Sequence, residues 1–167
     1  AFPFMACGTI LICGGVKARL FRISFSGELA YEIAVPARFG NSMIRTLMAA
    51  GEEFGVTAYG TEALGVMRIE KGHVASNELN GQTTARQMGL GSMVSQTKDS
   101  IGLVLSRREQ MVLDDDYELV GLKPLDPAIS LTAGAHFIAV GAASTAENDE
   151  GWVTSVAYSP HLKTYIG

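Results

Sequence analysis

Hydrophobic and polar positions alternate along residues 18–36. Phe21, Ile23 and Phe25, then Tyr31, Ile33 and Val35, recur at every second position. That is the period of a strand with one face buried. The pattern predicts two strands, 18–25 and 29–36, joined at Ser26-Gly27-Glu28 as an antiparallel hairpin and closed by Pro36. The period then lengthens. Phe39, Met43, Ile44, Leu47 and Met48 form one apolar stripe at helical spacing, which predicts a helix from Ala37 to Glu53 stopped by Gly55. A second helix is expected over Thr61–Lys71. Thr61 would be its N-cap, Glu62 would lie near its positive end, Ala63, Val66 and Met67 would share a face, and Gly72 would end it.

Beyond residue 73 the pattern weakens. Residues 77–84, "NELNGQTT", read as a polar loop, and 88–94, "MGLGSMV", as a strand with a close backbone approach. Residues 99–109 predict a short helix capped by Asp99. Strands are expected at 117–124, 135–141 and 151–160, separated by Gly, Pro and Asp turns. The fold class is therefore α+β: an antiparallel sheet with helices on one face, then a small antiparallel β-barrel or sandwich. The domains are expected at 1–105 and 106–167.

Charge narrows the function. The net charge of -4 and pI of about 5.3 offer no basic face to neutralise phosphates, which argues against a general nucleic-acid binder. The run "DDD" at 114–116 reads as a solvated loop. Cys7 and Cys13 are the only cysteines, too few for a disulfide framework. They are expected as buried small hydrophobes in a reducing cytoplasm. Residues 1–16 carry no charge. They lack a basic leader, contain Pro3 and three glycines, and are shorter than a membrane span, so they are read as buried or loop structure. No membrane partner is expected. A first residue other than Met fits a piece of a longer protein.

His73, His136 and His161 have no metal-ligand spacing, so no metal is expected. There is no G-x-S-x-G elbow and no Walker sequence, and "GLGSM" at 89–93 lacks the third glycine of a dinucleotide loop. The carboxylates remain. Glu62 serves the helix dipole, Glu70 is solvated or paired locally, and Arg68 is open to a structural ion pair. Glu28, after Gly27 at a turn, could cap that turn or hold a ligand.

Five stretches then point the same way. "RISFSGELAYEI" (22–33), "YGTEALGVMRIEKGH" (59–73), "MGLGSMVSQTKDSIG" (88–102), "ELVGL" (118–122) and "VTSVAYSPHL" (153–162) occur in the order found in the aminomethyltransferase (glycine-cleavage T-protein) family, which the chain resembles. The wording is most similar to the C-terminal folate-binding region of the sarcosine oxidase alpha-subunit group. The resemblance implies a domain that binds tetrahydrofolate and takes part in one-carbon transfer to give 5,10-methylenetetrahydrofolate. It implies other sarcosine oxidase subunits as partners, with flavin and NAD held in other parts of the complex. The family's Gly-Glu pair, which holds the pterin ring, falls on Gly27-Glu28.

There are departures. The family's catalytic aspartate lies ahead of these residues, so the chain's own catalytic residues, and whether it is an enzyme by itself, stay open. Leu64 stands where relatives carry an Arg on the second helix, and Ser92 where many have Trp in "GLGW". A second function class is a non-catalytic folate-binding or protein-interaction scaffold of the same family. A third is a domain that has lost ligand binding. The iron–sulfur maintenance branch has a Cys where this chain has His73, which sets it aside.

Overall fold

The computed structural model describes residues 2–75, 77–112 and 117–167. The aspartate run at 114–116 lies outside the described residues. Backbone contacts divide the chain into two compact units, Ala1–Lys71 and Gly72–Gly167, each treated by itself below.

The first unit opens with a three-stranded antiparallel sheet in the order β1 (Cys7–Ile12), β2 (Val16–Phe21) and β3 (Glu32–Ala34). The pleat sorts its side chains. Gly8, Ile10 and Ile12 pair with Leu20, Ala18 and Val16 on the more buried face, and Ala18 is the buried hydrophobe of this unit. Thr9, Leu11, Lys17 and Arg19 take the exposed face, where the Arg19 guanidinium lies 5.7 Å from the Phe21 ring centroid. The tight turn of the sheet is at Cys13-Gly14-Gly15, where all three residues have positive φ and Gly15 N–H bonds the Ile12 carbonyl at 3.1 Å.

That arrangement corrects three expectations. Residues 7–12 form a strand, not buried or loop structure, because their own period-2 alternation finds β2 as a partner. Cys7 is exposed, and Cys13 is half-buried with its Sγ 3.5 Å from Thr46 Oγ1, so neither is a buried core residue. The tight hairpin joins β1 to β2, whereas β2 and β3 pair antiparallel across the longer stretch 22–31. Beyond Phe21 the ladder ends with Arg22, whose N–H goes to Ala6 O and whose carbonyl accepts from Met5 N–H. Residues 25–29 then bend away.

Both expected helices are present. A 3-10 turn at Ala37–Phe39 leads into α1 (Gly40–Gly51), and Gly55 closes the following turn at φ 69. Helix α2 spans Thr61–Lys71, and Gly72 ends it at φ 73. Thr61 is the first helical residue rather than the N-cap, since the Gly60 carbonyl takes the first bond from Leu64 N–H at 3.2 Å. No residue of either helix is buried, and Ile44, Leu47 and Met48 of the α1 stripe are exposed.

Among its described residues the second unit mixes a short α-helix with open two-stranded ladders. Helix α3 (Ile101–Leu105) is capped by Ser100, not Asp99: Ser100 Oγ accepts from Leu103 N–H at 3.4 Å. Ser100→Ala is expected to cost about 1 kcal/mol, read as a drop in melting temperature that Ser100→Asp avoids. Residues 88–94 turn and form a 3-10 segment at Gly91–Met93 instead of a strand. Glycines at 89 and 91 in so short a run favour turning over pairing.

Strands β4 (His136–Phe137) and β5 (Gly151–Trp152) pair antiparallel, as do β6 (Ala157–Ser159) and β7 (Thr164–Ile166). Among the described residues these ladders do not close, so the expected barrel is corrected to mixed helix and open antiparallel sheet. Residues 117–124 run beside other segments without forming a strand. Leu119 N–H bonds Gln87 O at 2.7 Å, and Leu122 exchanges both backbone bonds with Gly167. Val153, Ser155, Ser159, Thr164 and Ile166 are buried around β6 and β7, and Tyr158 meets Tyr165 edge-on across the ladder at 5.5 Å.

A carboxylate clasp joins the β4–β5 pair. Asp149 Oδ1 accepts from Gly151 N–H at 3.0 Å, and its Oδ2 lies 2.9 Å from His136 Nδ1. The Gly151 hydrogen bond, then His136, holds the Asp149 carboxyl below the usual aspartate range. A folded value below the unfolded one gives stability that is complete above the ordinary aspartate range and lost as pH falls through the folded value. An acid melt series should therefore show a component for the wild type that is missing in Asp149→Asn.

Candidate functional site

Gly27 and Glu28 lie in the bend 25–29, between β2 and β3. Gly27 holds φ at +84, a left-handed conformation that side chains rarely adopt, and Glu28 next to it is exposed. The turn thus faces a carboxylate outward on a backbone that only glycine takes readily. A second constraint comes from α2. A methyl group built on Gly27 would stand 2.6 Å from Lys71 Cδ and Cε and 2.8 Å from Cγ. The lysine stem therefore lies across the bare face of the glycine.

The stretch leading into the bend holds two polar atoms without partners. Arg22 Nε and Ser24 Oγ are buried with no hydrogen bond among the described residues, although Arg22 Nη1 donates to Phe2 O at 2.6 Å. An exposed carboxylate on a glycine turn, with an orphan hydroxyl in the stretch leading into it, is chemically suited to a flat ligand edge rich in N–H donors, as a pterin has. Glu62, in the first turn of α2, and Glu70, near its end, are exposed, while Leu64 and Arg68 on the same helix are half-buried. Ser92 is exposed in the second unit. His73, His136 and His161 are exposed, and no group of three or more His, Cys, Asp or Glu suited to a metal ion occurs among the described residues.

One carboxylate escaped the sequence reading. Glu78 is 3 % exposed. Its Oε1 accepts from Thr154 Oγ1 at 2.7 Å and Ser155 Oγ at 2.6 Å, and its Oε2 accepts from Ala75 N–H at 2.7 Å. The Glu78 carbonyl accepts from Thr83 Oγ1 at 2.8 Å, and Asn77 Nδ2 donates to Thr154 O at 3.2 Å. This carboxylate is saturated by its own protein and ties the polar loop to the 153–155 segment. The polar wording of 77–84 gave no sign of it, because its hydroxyl partners are 76 and 77 residues away.

The bend thus presents a carboxylate beside a left-handed glycine, between antiparallel strands and ahead of two helices. The family model described as GCVT N-terminal domain matches residues 1–98, and the chain belongs to that family. More particularly, it is 51% identical over 168 residues to sarcosine oxidase subunit alpha of Rhizobium meliloti (strain 1021), an alignment covering 99% of this chain and 17% of that protein. It is 41% identical over 170 residues to sarcosine oxidase subunit alpha of Corynebacterium sp. (strain P-1), covering 100% of this chain and 18% of that one. An aminomethyltransferase of Thermosynechococcus vestitus is 32% identical over 152 residues, with 89% and 38% covered. The chain thus spans less than a fifth of the length of the sarcosine oxidase relatives it matches. No described helix is long and apolar enough to cross a membrane.

Proposed function

We propose that this chain is the tetrahydrofolate-binding part of a sarcosine-oxidase-like alpha subunit, acting in one-carbon transfer to 5,10-methylenetetrahydrofolate. The observation that carries the reading is the Gly27 turn at φ +84, with the exposed Glu28 carboxylate next to it. Glu28 accepts the N3–H and 2-amino donors of the pterin edge, a paired charge-assisted contact that fixes the ring's orientation. Gly27 supplies the backbone path, and Ser24 Oγ offers a further polar contact in the same stretch. Bound tetrahydrofolate supplies the nitrogens that accept the one-carbon unit. The chain's own contribution is to bind and orient the ring.

Other sarcosine-oxidase-type subunits, with flavin and NAD in other parts of the complex, are the partners this reading brings. Titrating tetrahydrofolate into the wild-type chain and into Glu28→Ala tests it. Equal affinities would remove Glu28 as the pterin anchor. Capture of flavin-bearing subunits separates an oxidase subunit from a scaffold that binds folate without them.

A further inference from the structure

The contact between Lys71 and Gly27 has a chemical consequence for the ligand edge. Three stem carbons of Lys71 stand 2.6–2.8 Å from where a Gly27 Cβ would be, so the stem runs over the Gly27 turn and its flexible end, one bond beyond Cε, is within reach of a ligand held there. A 2-amino-4-oxo pyrimidinone presents its edge groups in the order acceptor, donor, donor: O4, N3–H, 2-amino. A carboxylate satisfies the two donors and leaves O4 calling for a donor at the carboxylate's flank. Lysine is suited to that place, being a compact charge with three rotatable N–H groups on a flexible stem.

We propose that Lys71 is a specificity-determining residue of this site, donating to the 4-oxo group of a pterin whose two N–H donors are held by Glu28. The proposal rests on the folate reading above. It explains why the stem crosses a glycine: a residue without Cβ leaves room for the lysine stem over the turn that carries the carboxylate. It also predicts a discrimination that packing alone would not produce. A 2,4-diamino analogue replaces the acceptor O4 with a donor, which faces the ammonium unfavourably.

The experiment measures dissociation constants for tetrahydrofolate and for its 2,4-diamino analogue, and reads their ratio. Lys71→Met keeps the stem over Gly27 and removes the charge. It should move the ratio about tenfold toward the diamino compound. Lys71→Arg, which still donates, should keep the wild-type ratio. Circular dichroism of each variant checks that the fold is unchanged. An unaltered ratio in Lys71→Met, with tetrahydrofolate binding still lost in Glu28→Ala, overturns the lysine's role and leaves the folate reading standing. Unchanged tetrahydrofolate binding in Glu28→Ala overturns both.

Discussion

Glu78→Ala is expected to lower the stability of the Gly72–Gly167 unit by about 3 kcal/mol. The substitution removes an acceptor that serves three donors: the Thr154 and Ser155 hydroxyls and the Ala75 amide. Ser155 is itself buried. Water cannot readily replace the lost acceptor there, so the orphaned donors carry most of the penalty. Glu78→Gln keeps one amide oxygen facing the hydroxyls and loses the charge, so its loss should be about half as large. The single tryptophan, Trp152, lies in the same unit and reports unfolding in urea by fluorescence. With a denaturant slope of about 2 kcal/mol/M, the alanine variant's midpoint should fall by about 1.5 M. A midpoint within about 0.3 M of the wild type would mean that the carboxylate is not what holds the loop to the 153–155 segment.

The second large effect is on binding. Glu28→Ala should weaken tetrahydrofolate binding about 100-fold, the loss of a paired charge-assisted contact of about 3 kcal/mol. The folded chain should be as stable as before, since Glu28 is exposed in a bend rather than packed. Glu28→Gln is a sharper probe. Its amide oxygen accepts one pterin donor, but its NH2 meets the other donor head-on, so most of the affinity is lost despite the matched shape. Calorimetric titration gives both affinities, and thermal melts give the stability. A fall in stability that matches the fall in affinity would assign Glu28 to the turn rather than to the ligand.

The two carboxylates show different degrees of legibility. Glu28 stood out because its neighbours carry local information. A glycine before it, alternating apolar residues on either side and the ordered motifs around it all lie within a few positions. Helices α1 and α2 were legible for the same reason, since helical bonds join residues four apart and the apolar spacing repeats at that scale. Strands were legible as alternation but not as extents. The pattern at 18–25 continues past Phe21, whereas the regular ladder ends there, Arg22 makes the last bonds to residues 5 and 6, and residues 25–29 bend away. The two expected strands do pair antiparallel, but across a longer connection, and the tight hairpin before them was missed because the uncharged start of the chain concealed β1.

The sequence by itself determined the family, the two helices, the antiparallel character of the sheet and the glycine–glutamate turn, each encoded in spacing over a few residues. Tertiary structure alone decided which strands meet, that the later ladders stay open among the described residues, that Lys71 lies over Gly27, and that Glu78 is a buried polar hub. The last two depend on partners 44 and 77 residues apart, Gly27 with Lys71 and Glu78 with Ser155. Periodicity records which face a residue turns inward, but it does not record what waits there.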